Sequence, residues 1–528
     1  MSLHEQLKAL DNHQGREILA AIQRGIEKES LRISPDGKLA QTPHPVGLGS
    51  ALAHSSITTD YSEALMEFIT PVDSSIEGSL KTLEDIHRYV YQNLGEEILW
   101  SASMPCIMTG GGDDDIPVAQ YGSSNVARMK TVYRYGLGHR YGRLMQTIAG
   151  IHYNFSMPQT FWQHAWESDG SQGNLTDYIS TRYLGLIRNF QRYSWLLVYL
   201  YGASPAVCAS FLRGSDKHGL TPFDDESRSL HMPHGTALRM GDLGYNSDAQ
   251  KDLSICYNSL DNYIQTLKKA ILQSHPGYST IPSGRDGNYQ QLNDSLLQIE
   301  NEFYSPIRPK RVARTGETPL CALRRAGIEY IEVRCVDVSP FTPVGLDAQQ
   351  IRFMDTFLLF CLLEDSPPCT DEEQVVMDYN LKTVVNRGRE PGLILKSCSG
   401  EKPFTELAGS LLQAMDGIAG LMDSAFDSSN YTSALQDQKA KVANPELTPS
   451  ARMLREMRET ELPFFRLEME YSKRWAEHFR SSPLADDVTE RLNKETRSSL
   501  QDQADIEQSD SITFEQYLEN FYAQYDSL

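Results

Sequence analysis

Hydrophobic and polar residues alternate in four separate stretches of the chain, and this pattern predicts four strands. The stretches are residues 25–33, 57–69, 150–156 and 327–338. Side chains along a strand point alternately to the two faces of a sheet, so residues two apart share a face at a separation of about 7 Å. Each stretch carries acidic residues or a histidine on one face, and together they supply Glu27, Glu29, Asp60, Glu67, His152 and Glu332. If the four strands are neighbours in one sheet, these side chains line one concave surface.

Residues 62–69 fit two interpretations. The glutamates, alanine, leucine and methionine of this run favour a helix. Phe68, Ile69 and Thr70 favour a strand, and Pro71 ends the run. We therefore predict a strand, in which Glu67 shares a face with Ile69.

Apolar residues recur at helical spacing in the segments between these strands. We predict helices over residues 4–23 (with a loose centre at 11–13), 75–100, 125–141, 176–203 and 251–274. A short helix over 238–245 should end in a glycine turn that presents Arg239 and Tyr245. Loops are expected over 103–125, which contains the run Gly110–Asp115, and over 282–293, with a stiff basic turn at 306–311.

After about residue 345 the pattern becomes helical, with helices predicted over 351–364, 407–425, 450–457 (capped by Ser450) and 462–480. The chain is therefore expected to be α+β, with a sheet-containing part at 1–345 and a mainly helical part at 346–528 packed on it. Residues 483–528 contain eleven acidic residues against three basic ones. We expect this segment to be a solvated outer helix and tail with no direct chemical role.

Charge and composition narrow the possible functions. The 528 residues carry a net charge of −21, which argues against nucleic acid or an anionic membrane surface as the main partner. A nucleotide substrate stays possible, because bound metal ions and a few arginines reverse the local field. No secretory signal is evident at the N-terminus, and the most apolar run, Trp195 to Ala203, is far shorter than the roughly 20 residues of a membrane span. The eight cysteines have no C-x-x-C spacing, which favours free thiols and a cytoplasmic protein.

The acidic candidates point to metal chemistry if they converge. Five carboxylates in one basin repel each other strongly unless cations lie between them. Roughly two or three Mg²⁺ ions and a nucleoside triphosphate would balance the charge, since Mg²⁺ takes oxygen ligands. Arg334 shares a face with Glu332 and is placed to contact a transferring phosphoryl group. Taken singly, each acidic candidate could equally be part of a solvated strand face, and His152 could be a structural histidine. The basic helix 125–141 could equally be a solvated surface helix.

Seven stretches resemble the glutamate–cysteine ligase (γ-glutamylcysteine synthetase) family of the single-function bacterial type. They are residues 24–32, 57–60, 67–71, 150–156, 298–302, 306–311 and 327–334. The resemblance implies a glutamine-synthetase-like fold, in which an open, largely antiparallel, funnel-shaped sheet is packed by outer helices. It also implies an enzyme that uses ATP and Mg²⁺ (or Mn²⁺) to join the γ-carboxylate of L-glutamate to the amine of L-cysteine, the first step of glutathione biosynthesis.

The resemblance assigns roles to individual residues. Glu27, Glu29, Asp60, Glu67, His152 and Glu332 match the metal ligands, and Arg334 together with Glu332 matches the catalytic pair at the phosphate. Arg239, Tyr245, Tyr133, Tyr304 and Tyr61 fall where amino-acid substrates bind, with cysteine near the tyrosines. Position 61 holds tyrosine where relatives are expected to have phenylalanine, which adds a hydroxyl beside that pocket. Arg134, Arg308 and Lys310 are expected near phosphate.

Other readings of the same pattern remain open. The chain could be another carboxylate–amine ligase, a guanidine kinase of related fold, or a non-catalytic protein that binds metal or nucleotide. The family resemblance favours a glutamate–cysteine ligase over these alternatives, with ATP, L-glutamate and L-cysteine as its partners. It also leads us to expect a monomer that glutathione inhibits by feedback.

Overall fold

The computed structural model describes the whole chain except residues 1, 107, 109–114, 213–217, 227, 244–249, 251–252, 285–286 and 399. Its strands are β1 (Gln23–Ile33), β2 (Ile57–Thr59), β3 (Leu65–Ile69), β4 (Ile98–Leu99), β5 (Ile151–Ser156), β6 (Ala206–Cys208), β7 (Thr221–Pro222), β8 (Ser229–His231), β9 (Ile307–Lys310), β10 (Tyr330–Val336), β11 (Ile394–Ser397) and β12 (Gly400–Pro403).

The helices outnumber the strands after residue 345. In chain order they are α1 (Leu3–Leu10), α2 (His13–Ala20), α3 (Ile76–Tyr91), α4 (Asn125–Tyr141), α5 (Gln159–Ser168), α6 (Leu175–Tyr201), α7 (Leu260–Leu272), α8 (Pro319–Ala326), α9 (Ala348–Leu363), α10 (Asp371–Arg387), α11 (Phe404–Ala414), α12 (Asp416–Phe426), α13 (Asn430–Ala443), α14 (Pro449–Thr460), α15 (Phe464–Ser481), α16 (Asp486–Ser509) and α17 (Phe514–Ala523). Within the described ranges, no helix is both long enough and apolar enough to cross a bilayer.

An open antiparallel sheet organises the fold. Its strands lie in the order β2-β3-β1-β5-β10-β9, with β4 paired to the far end of β1. The predicted α+β class is therefore confirmed, and so is the strand interpretation of residues 65–69. Pairing sets Glu29 opposite Glu67 and Glu27 opposite His152, so the polar side chains of three strands project from one face.

The opposite face of the sheet is covered by helices. Apolar side chains of β1, β3, β5 and β10 are fully buried there, under α3, α6 and α9. A buried ion pair joins this layer to the sheet: Arg24 on β1 lies 2.7 Å from Asp355 on α9, and the Tyr153 hydroxyl donates to the same carboxylate at 2.6 Å. Removing one partner would leave a buried charge unpaired, so this pair fixes how α9 sits on the sheet.

Several predicted boundaries were wrong for local reasons. The predicted helix 4–23 is two helices, because the Asn12 side chain caps a new start by accepting from Gly15. The predicted helix 75–100 ends at Tyr91 and is followed by β4, while the predicted helix 251–274 begins only at Leu260, after the Ser259 cap. Between 238 and 245 the described helix is a single 3₁₀ turn, Leu238–Met240.

Three further differences concern the basic turn and the C-terminal half. The predicted turn 306–311 is the edge strand β9. The predicted helix 407–425 is two helices, α11 and α12, and α14 is capped by Thr448 with Pro449 at its first position, rather than by Ser450. Residues Gly110 to Asp114 of the predicted surface turn lie outside the described residues.

The acidic C-terminal segment is only partly the solvated tail that its charge predicts. Helix α16 is largely exposed, but α17 packs back onto the molecule. Phe514 and Leu518 are buried against Met129 and Val132 of α4. The prediction that the whole segment lies outside was wrong, because aromatic and aliphatic residues of α17 outweigh its flanking acids.

A buried carboxyl group on α15 makes the stability of the fold depend on pH. Glu468 is fully buried, accepts one hydrogen bond from Ser101 at 3.1 Å, and leaves its other oxygen without a hydrogen-bond partner among the described residues. Burial raises the pKa of Glu468 from 4.5 to about 8. Its folded-state pKa lies above the unfolded value, so its stabilising contribution is complete below about 4.5 and is lost as pH rises through about 8.

We expect Glu468→Gln to raise the free energy of unfolding by about 3 kcal/mol at neutral pH, because folding no longer requires uptake of a proton. The gain should shrink toward acidic pH, and denaturant melts over a pH series measure it. Glu470→Gln, an exposed change on the same helix, is the matched control. If the free energy of unfolding varied with pH in the same way in Glu468→Gln and the wild-type protein, the raised pKa of Glu468 would be contradicted.

Candidate active site

A cavity of about 500 Å³ opens on the polar face of the sheet. That volume lies in the range of small-molecule binding sites. Strands β1, β3, β5, β9 and β10 form its floor, and α4, the turn 299–304, the segment 316–319 and α17 form its walls. It is lined by every metal candidate and by all the substrate and phosphate candidates except Tyr245, which lies outside the described residues: Glu27, Glu29, Asp60, Glu67, His152, Glu332, Arg334, Arg239, Tyr133, Tyr304, Tyr61, Arg134, Arg308 and Lys310.

Three strands bring a cluster of possible metal ligands together. One ligand atom each from Glu27, Glu67 and His152 lies within 4.8 Å of the other two. The His152 Nδ1 atom is 3.1 Å from Glu27 and 4.0 Å from Glu67, while its Nε2 atom is 4.0 Å from Glu29. Two carboxylates and an imidazole at these distances could surround one divalent cation.

The carboxylates at this end of the cavity disturb one another. Burial, together with the charges of Glu27, Asp60 and Glu29, raises the pKa of Glu67 well above its usual value. Burial and the nearby Asp60 also raise the pKa of Glu29. Burial is the largest influence on Glu27 and would raise its pKa, but the hydrogen bond with His152 and the charges of His152 and Lys310 together lower it. A cation placed among these groups would relieve the repulsion.

Basic side chains from β9 and β10 form the next part of the cavity. Glu332 is fully buried and pairs with Lys310 at 3.1 Å and with Arg334 at 3.0 Å. Although burial alone would raise the pKa of Glu332, these two cations hold it well below its usual value. In the structure Glu332 therefore contacts cationic side chains, whereas Glu27, Glu67 and His152 contact one another.

The remaining phosphate candidates are held by backbone oxygens. Arg308 donates to the carbonyls of Asn301, at 3.0 Å, and Phe303. Burial and the nearby Arg334 lower the pKa of Arg308. Arg134 on α4 lies 3.7 Å from the Asp60 carboxylate and also donates to the Asp60 carbonyl. These contacts fix the guanidinium groups before any ligand arrives.

Two substrate candidates, Arg239 and Tyr61, are buried beside the cavity. Arg239 is buried, donates to Asp337 at 3.1 Å, and uses a second nitrogen for the carbonyls of Arg334 and Val336. A side chain at Gly150 would meet this guanidinium at 2.9 Å, so the glycine leaves room for it. Tyr61 is almost fully buried and contacts the cavity from the loop before β3.

Several cavity residues are not among the sequence candidates, and four of them bear on the chemistry of the site. Gln146 is buried, and its amide nitrogen has no hydrogen-bond partner among the described residues. Lys130 lies 5.0 Å from the centre of the Tyr121 ring, and burial lowers the pKa of Lys130 to about 8. Tyr517 and Phe521 reach the cavity from α17. The one available signal for α17 is its Thr513–Gln516 capping box followed by aromatic residues at helical spacing.

Comparison with known proteins agrees with this arrangement. Residues 7–384 match the family described as "Glutamate-cysteine ligase". The chain is 50% identical over 510 residues to a protein of Saccharophagus degradans named glutamate–cysteine ligase, covering 96% of each chain. It is also 50% identical over 525 residues to a protein of the same name from Alcanivorax borkumensis, covering 98% of this chain and 99% of the relative.

Solved structures extend the similarity to the fold. The crystal structure of a glutamate–cysteine ligase from Francisella tularensis in complex with AMP has a TM-score of 0.89 and 35% identity, over 96% of this chain and 98% of that one. A bifunctional glutathione synthetase from Pasteurella multocida shares the fold alone, with a TM-score of 0.72 at 23% identity over 94% of this chain and 58% of that one. From the match over residues 7–384 and the near-full-length relatives, it follows that this chain belongs to the glutamate–cysteine ligase family.

Proposed function

We propose that the protein uses ATP and Mg²⁺ to join the γ-carboxylate of L-glutamate to the amine of L-cysteine, giving γ-glutamylcysteine, ADP and phosphate. The observation that carries this proposal is the convergence, in one cavity, of a carboxylate–histidine cluster with Arg334, Lys310 and Arg308. The relatives' names and the AMP-bound structure of the Francisella protein support the same reaction class.

The donor set fits a hard divalent cation. Glu27, Glu67 and His152 would hold it, with Glu29, Asp60 and Glu332 within the same cavity as further oxygen donors. The raised pKa of Glu67 supports this fit, because crowding of carboxylates favours an added positive charge. When bound, Mg²⁺ supplies positive charge next to the phosphate oxygens of ATP.

The protein's own residues would then act in two steps. In the first, a γ-carboxylate oxygen of glutamate bonds to the γ-phosphorus while the bond to ADP breaks, giving γ-glutamyl phosphate. Charge in this step spreads over phosphoryl oxygens, so Arg334, Lys310 and Arg308 stabilise it. In the second, the cysteine amine bonds to the acyl carbon, phosphate leaves with the bonding electrons, and the amine loses a proton.

Positioning and exclusion of water complete the proposed mechanism. Arg239 and the amide nitrogen of Gln146, which has no hydrogen-bond partner among the described residues, would orient carboxylate groups of the amino acids. Tyr133, Tyr304 and Tyr61 would line the cysteine pocket. Walls from α4 and α17 limit the access of water, which protects the acyl phosphate from hydrolysis.

The test is ADP release by the purified protein across a Mg²⁺ titration, with glutamate alone, with cysteine alone and with both. We expect ADP and γ-glutamylcysteine in equal amounts only when both amino acids and Mg²⁺ are present, with partial activity in Mn²⁺. Ammonia and guanidino compounds as acceptors distinguish another carboxylate–amine ligase or a guanidine kinase. Nucleotide binding without any turnover would support a non-catalytic protein instead.

Glutathione contains the proposed product, so we expect it to compete for the amino-acid part of the cavity. Inhibition that glutamate relieves would agree with this, and inhibition that glutamate leaves unchanged would contradict it.

A further inference from the structure

The cavity has two chemically different ends. The sheet supplies carboxylates and guanidinium groups at one end. The remaining lining includes apolar and aromatic side chains from α4, the turn 299–304, the start of α8 and α17, namely Val126, Met129, Ile299, Pro319, Tyr517 and Phe521. Three glutamates nearby, Glu300, Glu302 and Glu317, are already bound to Tyr525, Arg140 and Arg325. Tyr517 and Phe521 are aromatic, partly exposed and packed against the same cluster as Met129. Amino-acid substrates are small and zwitterionic, and they gain little from such a surface.

Helix α17 is firmly attached to the neighbouring cavity walls. The Tyr525 hydroxyl, just beyond the helix, donates to Glu300 at 2.6 Å, and the Tyr522 hydroxyl donates to the Gln298 carbonyl at 2.9 Å. Gln524 accepts from the Thr318 backbone at 3.0 Å and donates to the Gly316 carbonyl at 2.9 Å. The same residues thus hold both the turn at 300–302 and the segment at 316–319, so Tyr517 and Phe521 are presented on a preformed wall.

We propose that Tyr517 and Phe521 form the wall of the nucleotide subsite that receives the purine base. This inference rests on the proposed use of ATP. A triphosphate held by Arg334, Lys310 and Arg308 occupies the polar end, so the base of the same elongated molecule must lie elsewhere in the cavity. Aromatic faces with aliphatic neighbours are the surface on which a base stacks.

The test compares substrates in the Phe521→Ala and Tyr517→Ala variants. Each should raise the KM for ATP by roughly tenfold, the range that loss of one stacking partner produces. The KM values for glutamate and cysteine should stay within about twofold, because the stacking partner that is removed serves the nucleotide base. Tyr517→Phe keeps the ring, so its KM for ATP should rise far less than that of Tyr517→Ala. Glu519→Ala, an exposed change on the same helix, is the matched control and should leave all KM values unchanged.

Inorganic tripolyphosphate separates a stacking role from a structural one. It carries the phosphates without the base, so its inhibition constant against ATP should be unchanged in both alanine variants. A parallel loss of tripolyphosphate and ATP affinity would overturn the proposal, as would an unchanged KM for ATP or a raised KM for cysteine alone. Phe521→Leu, which keeps an apolar side chain, serves if the alanine variant fails to fold, and its KM for ATP should also rise.

ADP formation by the wild-type protein distinguishes an error in the proposed function from an error in this inference. If the wild type forms no ADP with glutamate and cysteine, the function is wrong. If it does so and the ring-deleting variants keep the KM for ATP, only the base wall is wrong.

Discussion

Replacing Glu67 by glutamine should lower kcat for ADP formation at least about 100-fold, because it removes the carboxylate that we propose as a metal ligand near the transferring phosphoryl group. Glu67 belongs to the cluster with Glu27 and His152 and lies directly opposite Glu29 in the sheet. An amide keeps the shape of the side chain but offers no negative charge. The concentration of Mg²⁺ needed for half-maximal rate should therefore rise as well, and a Mg²⁺ titration of the steady-state rate measures both effects.

The same substitution should stabilise the metal-free protein. The catalytic rate should therefore fall while the free energy of unfolding rises. Burial and three neighbouring carboxylates raise the pKa of Glu67, so at neutral pH folding must either protonate it or bury a repelled charge. Glu77→Gln, on the exposed start of α3, is the matched control: it should leave the rate unchanged and lower stability by no more than about 1 kcal/mol, through loss of an exposed ion pair with Arg352. Near-normal rate and Mg²⁺ dependence in Glu67→Gln would refute the metal assignment.

Replacing Arg334 by methionine should lower kcat by about 1,000-fold, since the guanidinium is proposed to neutralise charge that develops on the phosphoryl oxygens. Nucleotide affinity should fall much less, because Lys310 and Arg308 remain. Lysine at this position keeps the charge but not the forked donors, so Arg334→Lys should retain only part of the rate. Rapid-quench measurement of the first turnover, alongside nucleotide binding, separates the two effects.

Arg311 provides the control on the neighbouring part of the chain. It follows β9 but turns away from the cavity, donating to the Gly327 carbonyl and lying 3.6 Å from Glu329. Arg311→Met should keep kcat within about twofold, since it removes an equal charge outside the lining. Equal losses in the Arg334 and Arg311 variants would mean that the effect is general electrostatics and not contact with phosphate.

The sheet and its polar face could be predicted because strand periodicity is a local property. Alternation fixes which residues of one strand share a face, and Glu27, Glu29, Glu67 and His152 obey it. The neighbour relations came from the family resemblance and from the argument that like charges converge only around cations. Helix ends were predicted poorly, because caps such as Asn12 and Ser259 depend on single hydrogen bonds.

The rest of the site depends on contacts that no local pattern encodes. Tyr517 and Phe521 lie in a strongly acidic segment, and only tertiary packing brings α17 to α4. Lys130 and Gln146 resemble ordinary polar residues in the sequence, and their burial is what distinguishes them. The two prolines of residues 306–311 favour a turn, yet the segment forms an edge strand, because an edge strand tolerates proline.

Pro309 in β9 also affects whether two copies of the protein could pair their sheets edge to edge. The Arg334 amide donates to the Pro306 carbonyl, and the register pairs Glu332 with Arg308 and Ile331 with Pro309. Backbone groups of alternate residues face the open border of a sheet, and at Pro309 that position lacks a hydrogen to donate. Ile307, Arg308 and Pro309 are also buried, so neighbouring parts of the chain cover this border, and a foreign strand would find neither an exposed nor a complete ladder there.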